Sequence, residues 1–160
     1  MRFDDRLTTV LKGSLPEGPG AATQWRQVID LLAQKPGNLA NQDVQEGLTR
    51  LRDLHDRVSD ADRLGAVQSL KGRLRSAPLL VFLAADTDMI CDAAIDAADL
   101  TPEIFADAFP RLSPRARARL QSRGFAIIED IAEAPVPLTE EIALPPEDSA
   151  HEEPATDSPA

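Results

Sequence analysis

Thr101-Pro102 and Ser113-Pro114 are one two-residue signal written twice. A short hydroxyl side chain accepts from the free amides that open a helix. A proline one step later has a φ preset for the first helical turn and no N–H to lose there. Similar punctuation recurs through residues 1–134, and it restricts the chain to short helices with defined ends.

The apolar spacing agrees. A first helix is expected from Arg2 to Lys12, with Phe3, Leu7, Val10 and Leu11 at the three-and-four spacing of one face. Gly13 stops it, and Pro16, Gly18, Pro19 and Gly20 make a loop. A second helix is expected from Ala21 to Gln34, striped by Trp25, Val28, Ile29 and Leu32 and ended by Pro36-Gly37. Asn41 caps a third, which runs to Arg57 through Val44, Leu48, Leu51, Leu54 and Val58. Ser59 caps a fourth, with Asp60 and Asp62 in its first turn, where the helix dipole favours anions. Its stripe is Leu64, Val67, Leu70 and Leu74. Pro78 starts a fifth through Ala85, and Asp86 or Thr87 opens a sixth with Met89, Ile90, Ala93, Ala94 and Ala97 inward. The seventh starts at Thr101 and buries Ile104, Phe105, Ala108 and Phe109. The eighth runs from Ser113 to Arg123 and closes at Gly124. A last short helix holds Phe125, Ile128 and Ile131. Eight or nine short helices with short connections predict an all-α body of antiparallel hairpins. The segments 58–75, 78–97 and 101–123 read as a degenerate helical-hairpin repeat.

At Pro135 the pattern stops. Residues 135–160 hold seven of the 27 acids, none of the 17 Lys and Arg, and six prolines, so they read as a disordered acidic tail or linker. Leu138, Ile142 and Leu144 are its few large apolar residues. Residues 1–134 then carry 20 acids against 17 bases. That balance disfavours a phosphate backbone as partner and leaves proteins as the expected partners. The single cysteine, Cys91, excludes an internal disulfide or a paired-cysteine metal site and reads as a packed thiol in a reducing compartment. The start lacks a basic-then-apolar leader, and the longest apolar stretch, Ala77–Ala85, is too short to span a bilayer. A cytoplasmic location is expected.

Three constellations bear on chemistry. The apolar run Leu79–Leu83 followed by Asp86-Thr87-Asp88 resembles a strand presenting two carboxylates, Asp86 and Asp88, to Mg²⁺; as a helix followed by an acidic cap it needs no metal. Leu54-His55-Asp56-Arg57-Val58 resembles a phospho-acceptor box in which His55 takes phosphate on a ring nitrogen; otherwise His55 is an ordinary helical histidine. Asp88, Asp92, Asp96 and Asp99 share one side of the sixth helix, and Arg111, Arg115, Arg117, Arg119 and Arg123 follow without an intervening acid. Like charges four residues apart repel, so the two stretches are expected to meet in a hairpin. The alternative is an adaptor surface in which Arg115, Arg117 and Arg119 bind an acidic partner. No nucleophile–base pair and no phosphate-cradling glycine loop is present, so no catalytic set and no cofactor is expected.

Three stretches also carry a resemblance. They are Met1-Arg2-Phe3-Asp4-Asp5-Arg6-Leu7 with Val10-Leu11, the segment Gln24-Trp25-Arg26-Gln27-Val28-Ile29-Asp30-Leu31-Leu32-Ala33-Gln34, and Ala77-Pro78-Leu79-Leu80-Val81-Phe82-Leu83-Ala84 with Leu112-Ser113-Pro114-Arg115-Ala116-Arg117. Together they resemble the N-terminal helical region of bacterial PAS-containing sensor histidine kinases, itself similar to a HEAT-like repeat family. The resemblance covers most of residues 1–133 and makes the tail a linker toward a PAS domain. No PAS, dimerisation or ATP-binding domain lies within the 160 residues. The resemblance therefore implies a truncated or stand-alone input module of two-component signalling, without kinase activity of its own. It transfers no functional residue.

Overall fold

The computed structural model describes residues 3–35 and 41–125. Its helices are α1 (Phe3–Lys12), α2 (Pro19–Ala33), α3 (Gln42–His55), α4 (Asp60–Gln68), α5 (Ala77–Ala84), α6 (Asp88–Ala97), α7 (Pro102–Ala108) and α8 (Pro114–Ser122). A 3₁₀ turn, Phe109–Arg111, follows α7. Among the described residues no strand forms, and the only bridge pairs Leu74 with Ala98. The ninth helix, the boundary near Pro135 and the tail fall outside the described residues.

Local hydrogen bonds account for the helix starts. Asn41, Ser59, Thr87, Thr101 and Ser113 each accept from a backbone amide two or three residues on. Ser59 is also a donor to Asp62, 2.8 Å away, which closes a reciprocal cap. Ser76, a start the spacing does not flag, caps α5 from a fully buried position. Residue choice also sets α2, which begins two residues earlier than expected. Gly18 there takes φ 58°, and Pro19 fills the first turn.

The helices form two rows. The odd helices contact in order, α1 to α3 to α5 to α7, and so do the even ones, α2 to α4 to α6 to α8. Contacts of α1 with α2, α2 with α3 and α5 with α6 join the rows. Between them lies one continuous core. Trp25, Val28, Ile29 and Leu32 of α2, all fully buried, meet the Val44, Leu48, Leu51 and Leu54 stripe of α3. Burying one such side chain stabilises by about 1.5–3 kcal/mol. Gly47 lets α2 and α3 close together: a Cβ there would stand 2.9 Å from both terminal methyls of Leu32.

The structure corrects the expected boundary of the fourth helix. It ends at Gln68 and not at Leu74, because Lys71 (φ 43°) and Gly72 (φ 77°) turn the chain left-handed. Leu74 is still fully buried, but as extended chain: its amide donates to the Ala97 carbonyl (3.1 Å) and its carbonyl accepts from Asp99 (2.9 Å). The Arg75 amide donates to the Ala33 carbonyl at the end of α2 (2.8 Å). One connection thus ties down the last turns of α2 and α6. A second correction concerns α6, where Met89 is 66% exposed while Ile90, Cys91, Ala94 and Ile95 are buried. The inward face is rotated toward Cys91 because α4, α5 and α8 all pack on this helix.

Candidate functional site

Arg63 is the residue that spacing alone misplaces. It precedes Leu64, taken above as the first residue of the apolar stripe, yet Arg63 is 4% exposed and Leu64 is only half-buried. All five guanidinium N–H groups find acceptors. Nε and Nη2 form a two-pronged pair with Asp86, each at 3.1 Å. Nη2 also reaches Asp60 at 2.8 Å. Nη1 donates to the carbonyls of His55 (3.1 Å) and Val58 (2.8 Å), closing the end of α3. The Asp86 side chain, 6% exposed, accepts in addition from the Thr87 amide at 2.8 Å.

This arrangement bears on two sequence candidates. The Asp86 oxygens are occupied by a guanidinium and an amide, whereas Asp88 pairs outward with Arg115. Asp86 and Asp88 therefore do not converge on one cation position. Among the described residues no group of three or more His, Cys, Asp or Glu is placed to hold a metal ion. His55 is 39% exposed, with Nδ1 3.0 Å from Asp56 and Nε2 3.4 Å from Asp86. Phosphate on either ring nitrogen would stand against a carboxylate, and in-line approach to Nε2 would have to displace a buried ion pair. The ring also packs edge-on to Trp25, with centroids 6.3 Å apart.

The arginine stretch meets the acids of α6. Arg115 of α8 pairs with Asp88 and reaches Asp92 (3.7 Å); Arg119 reaches Asp92 (3.5 Å) and Asp96 (3.3 Å). The two helices form a charge ladder along one seam. Asp99 is not a rung, because α6 ends at Ala97; it pairs with Arg75 instead (2.9 Å). The other arginines serve backbone and rings. Arg117 donates to the carbonyls of Phe109 (3.0 Å) and Pro110 (2.6 Å) and lies over the Phe109 ring. Arg123 donates to the Ile95 carbonyl at the end of α6 and covers Phe125. Arg111 pairs with Asp107 at 3.2 Å. An adaptor surface built on Arg115, Arg117 and Arg119 would have to break these contacts first.

Cys91 lies buried on α6. Burial raises the pKa of its thiol, the neighbouring Asp92 raises it further, and Arg119 partly offsets both. A thiol held neutral is a weak nucleophile.

A groove of about 440 Å³ runs along the odd row, one of several open cavities of similar size among the described residues. Leu48, Arg52 and His55 line it from α3, Pro78, Val81 and Phe82 from α5, and Ala85, Asp86 and Arg111 complete it. Arg52 lies over the Phe82 ring, 5.9 Å from its centroid. Phe82 and Val81 are only half-buried, so the floor presents apolar surface to solvent. Neither Arg52 nor Phe82 is marked by the sequence as part of a site. The available signal is their matching three-and-four spacing on two helices that become neighbours only when folded.

Comparison with protein-family models, with curated proteins and with solved structures finds no match to this chain.

Proposed function

We propose that the chain is a non-catalytic helical interaction module of the HEAT-like hairpin type, serving as an input element of two-component signalling. The observation that carries the interaction reading is the two-row order of α1–α3–α5–α7 and α2–α4–α6–α8. Helical hairpins stacked in this way present extended faces that proteins use for binding partners. Arg63, Asp86, Arg115 and Arg119 are engaged in structural pairs, which argues against a reactive role for them. The signalling association rests on the resemblance of the three stretches to sensor-kinase input regions.

Proximity labelling from the full chain in its own cell tests this reading. Enrichment of a PAS-containing histidine kinase or a response regulator is the expected result. An enriched set without any signalling protein removes the signalling assignment. Incubation with a phosphorylated response regulator tests the non-catalytic part: acid-labile label that disappears in His55→Gln would overturn it.

A further inference from the structure

We infer that the groove between α3 and α5 is a docking site for an acidic amphipathic helix of a partner protein. The inference rests on the interaction-module reading and specifies its surface and partner chemistry. The groove-facing residues of α3 are Leu48, Arg52 and His55; those of α5 are Pro78, Val81 and Phe82, with Ala85 one residue past its end. Each row spans two helical turns, or roughly 10 Å at 1.5 Å per residue. Two edges of that length beside an apolar floor suit the exposed stripe of a third helix. The volume lies at the low end for small-molecule pockets and accommodates a few aliphatic side chains.

Charge selects the partner. Two arginines line the groove, and its one lining acid, Asp86, is already matched by buried Arg63. Among the described residues no carboxylate pairs with Arg52, which lies over the Phe82 ring. Arg111 shares its charge with Asp107 beside the mouth. Aromatic residues and arginine are each enriched in protein interfaces. The body as a whole is weakly acidic, with 20 acids against 17 bases over residues 1–134. A carboxylate-rich helix is therefore repelled from most of the surface and admitted at this groove.

The test uses the full chain and three short fluorescein-labelled helical peptides followed by anisotropy. One carries Leu at three-and-four spacing flanked by Glu, one has Lys for every Glu, and one has Ala for every Leu. The Glu–Leu peptide should bind about tenfold or more tightly than either control. It should shift the amide resonances of Val81 and Phe82. The double variant Arg52→Glu/Arg111→Glu should lose that binding and prefer the Lys peptide, a reversal that an unfolded variant cannot show. Equal binding of the three peptides, no binding by any, resonance shifts away from α3 and α5, or a double variant with unchanged preference would each overturn the inference. If the peptides fail while proximity labelling still finds a signalling partner, the module binds through another face. If the peptides bind and no signalling protein is labelled, the groove stands and the signalling assignment falls.

Discussion

The α4–α5 region and the α6–α8 seam both join helices by arginine–aspartate pairs, and they do so under opposite conditions. Arg63 and Asp86 are 5% and 6% exposed in their side chains, and all five guanidinium N–H groups of Arg63 are bonded. The ladder from Arg115 and Arg119 to Asp88, Asp92 and Asp96 has more charges, but its side chains are 40–81% exposed. Water screens the ladder, and long side chains lose entropy in making it. The Arg63–Asp86 pair is buried, so removing either partner leaves the other as a poorly compensated buried charge. Burial and completeness, and not the number of charges, decide which region the fold depends on.

Breaking the buried pair should have the largest effect. Asp86→Ala should cost about 3–5 kcal/mol in urea unfolding, because Arg63 then keeps its burial, loses its two-pronged buried partner and retains only the exposed Asp60 as anion. A loss below about 1 kcal/mol would mean that Arg63 turns out to solvent. Removing both charges sharpens the same point: Arg63→Met with Asp86→Leu should recover much of the loss, since a well-packed apolar pair is often neutral or better. A double variant as unstable as Asp86→Ala would show that the bonds from Arg63 to the His55 and Val58 carbonyls carry the cost. Removing the ladder comes next. Arg115→Ala with Arg119→Ala should cost about 0–1 kcal/mol for each pair lost. That difference should shrink when stability is measured in 1 M salt, where the Debye length is about 3 Å. A loss independent of salt would assign the effect to packing of the arginine stems.

The smallest effect concerns Cys91, which sits inside the seam. Its folded pKa is raised, mainly by burial and then by Asp92. The sign follows from linkage: the neutral thiol is favoured in the fold, so this contribution is fully present below the unfolded value and is lost as pH rises through the folded one. The stability of the wild-type chain should therefore fall more steeply than that of Cys91→Ala on the alkaline side of an ordinary cysteine pKa. The chain has no tyrosine to add its own slope there. Parallel curves would remove the role of burial at this thiol.

The candidate site was only partly legible in the chain. His55 and Asp86 are visible as unusual residues, and both lie beside the buried Arg63. The approach of the α6 acids to downstream arginines is expected from like-charge repulsion and is found for Arg115 and Arg119, but not as a hairpin, because α7 lies between α6 and α8. Arg63, Arg52 and Phe82 escape notice. An arginine beside an apolar stripe reads as solvent-facing until its acceptors, which lie as far as 23 residues away, come into place.

The sequence by itself determined the helical class and most of the helix starts. Caps, first-turn prolines and the Trp25–Leu32 and Val44–Leu54 stripes work within a few residues and need no tertiary partner. Tertiary structure alone decided that Leu74 is buried as extended chain, that the inward face of α6 turns from Met89 to Cys91, and that Arg63 closes on Asp86. It also made the groove, by bringing α3 and α5 side by side. The physical reason is range. A cap is one hydrogen bond across two or three residues, whereas these features are set by which helix surfaces share the core, a choice made by many weak contacts together.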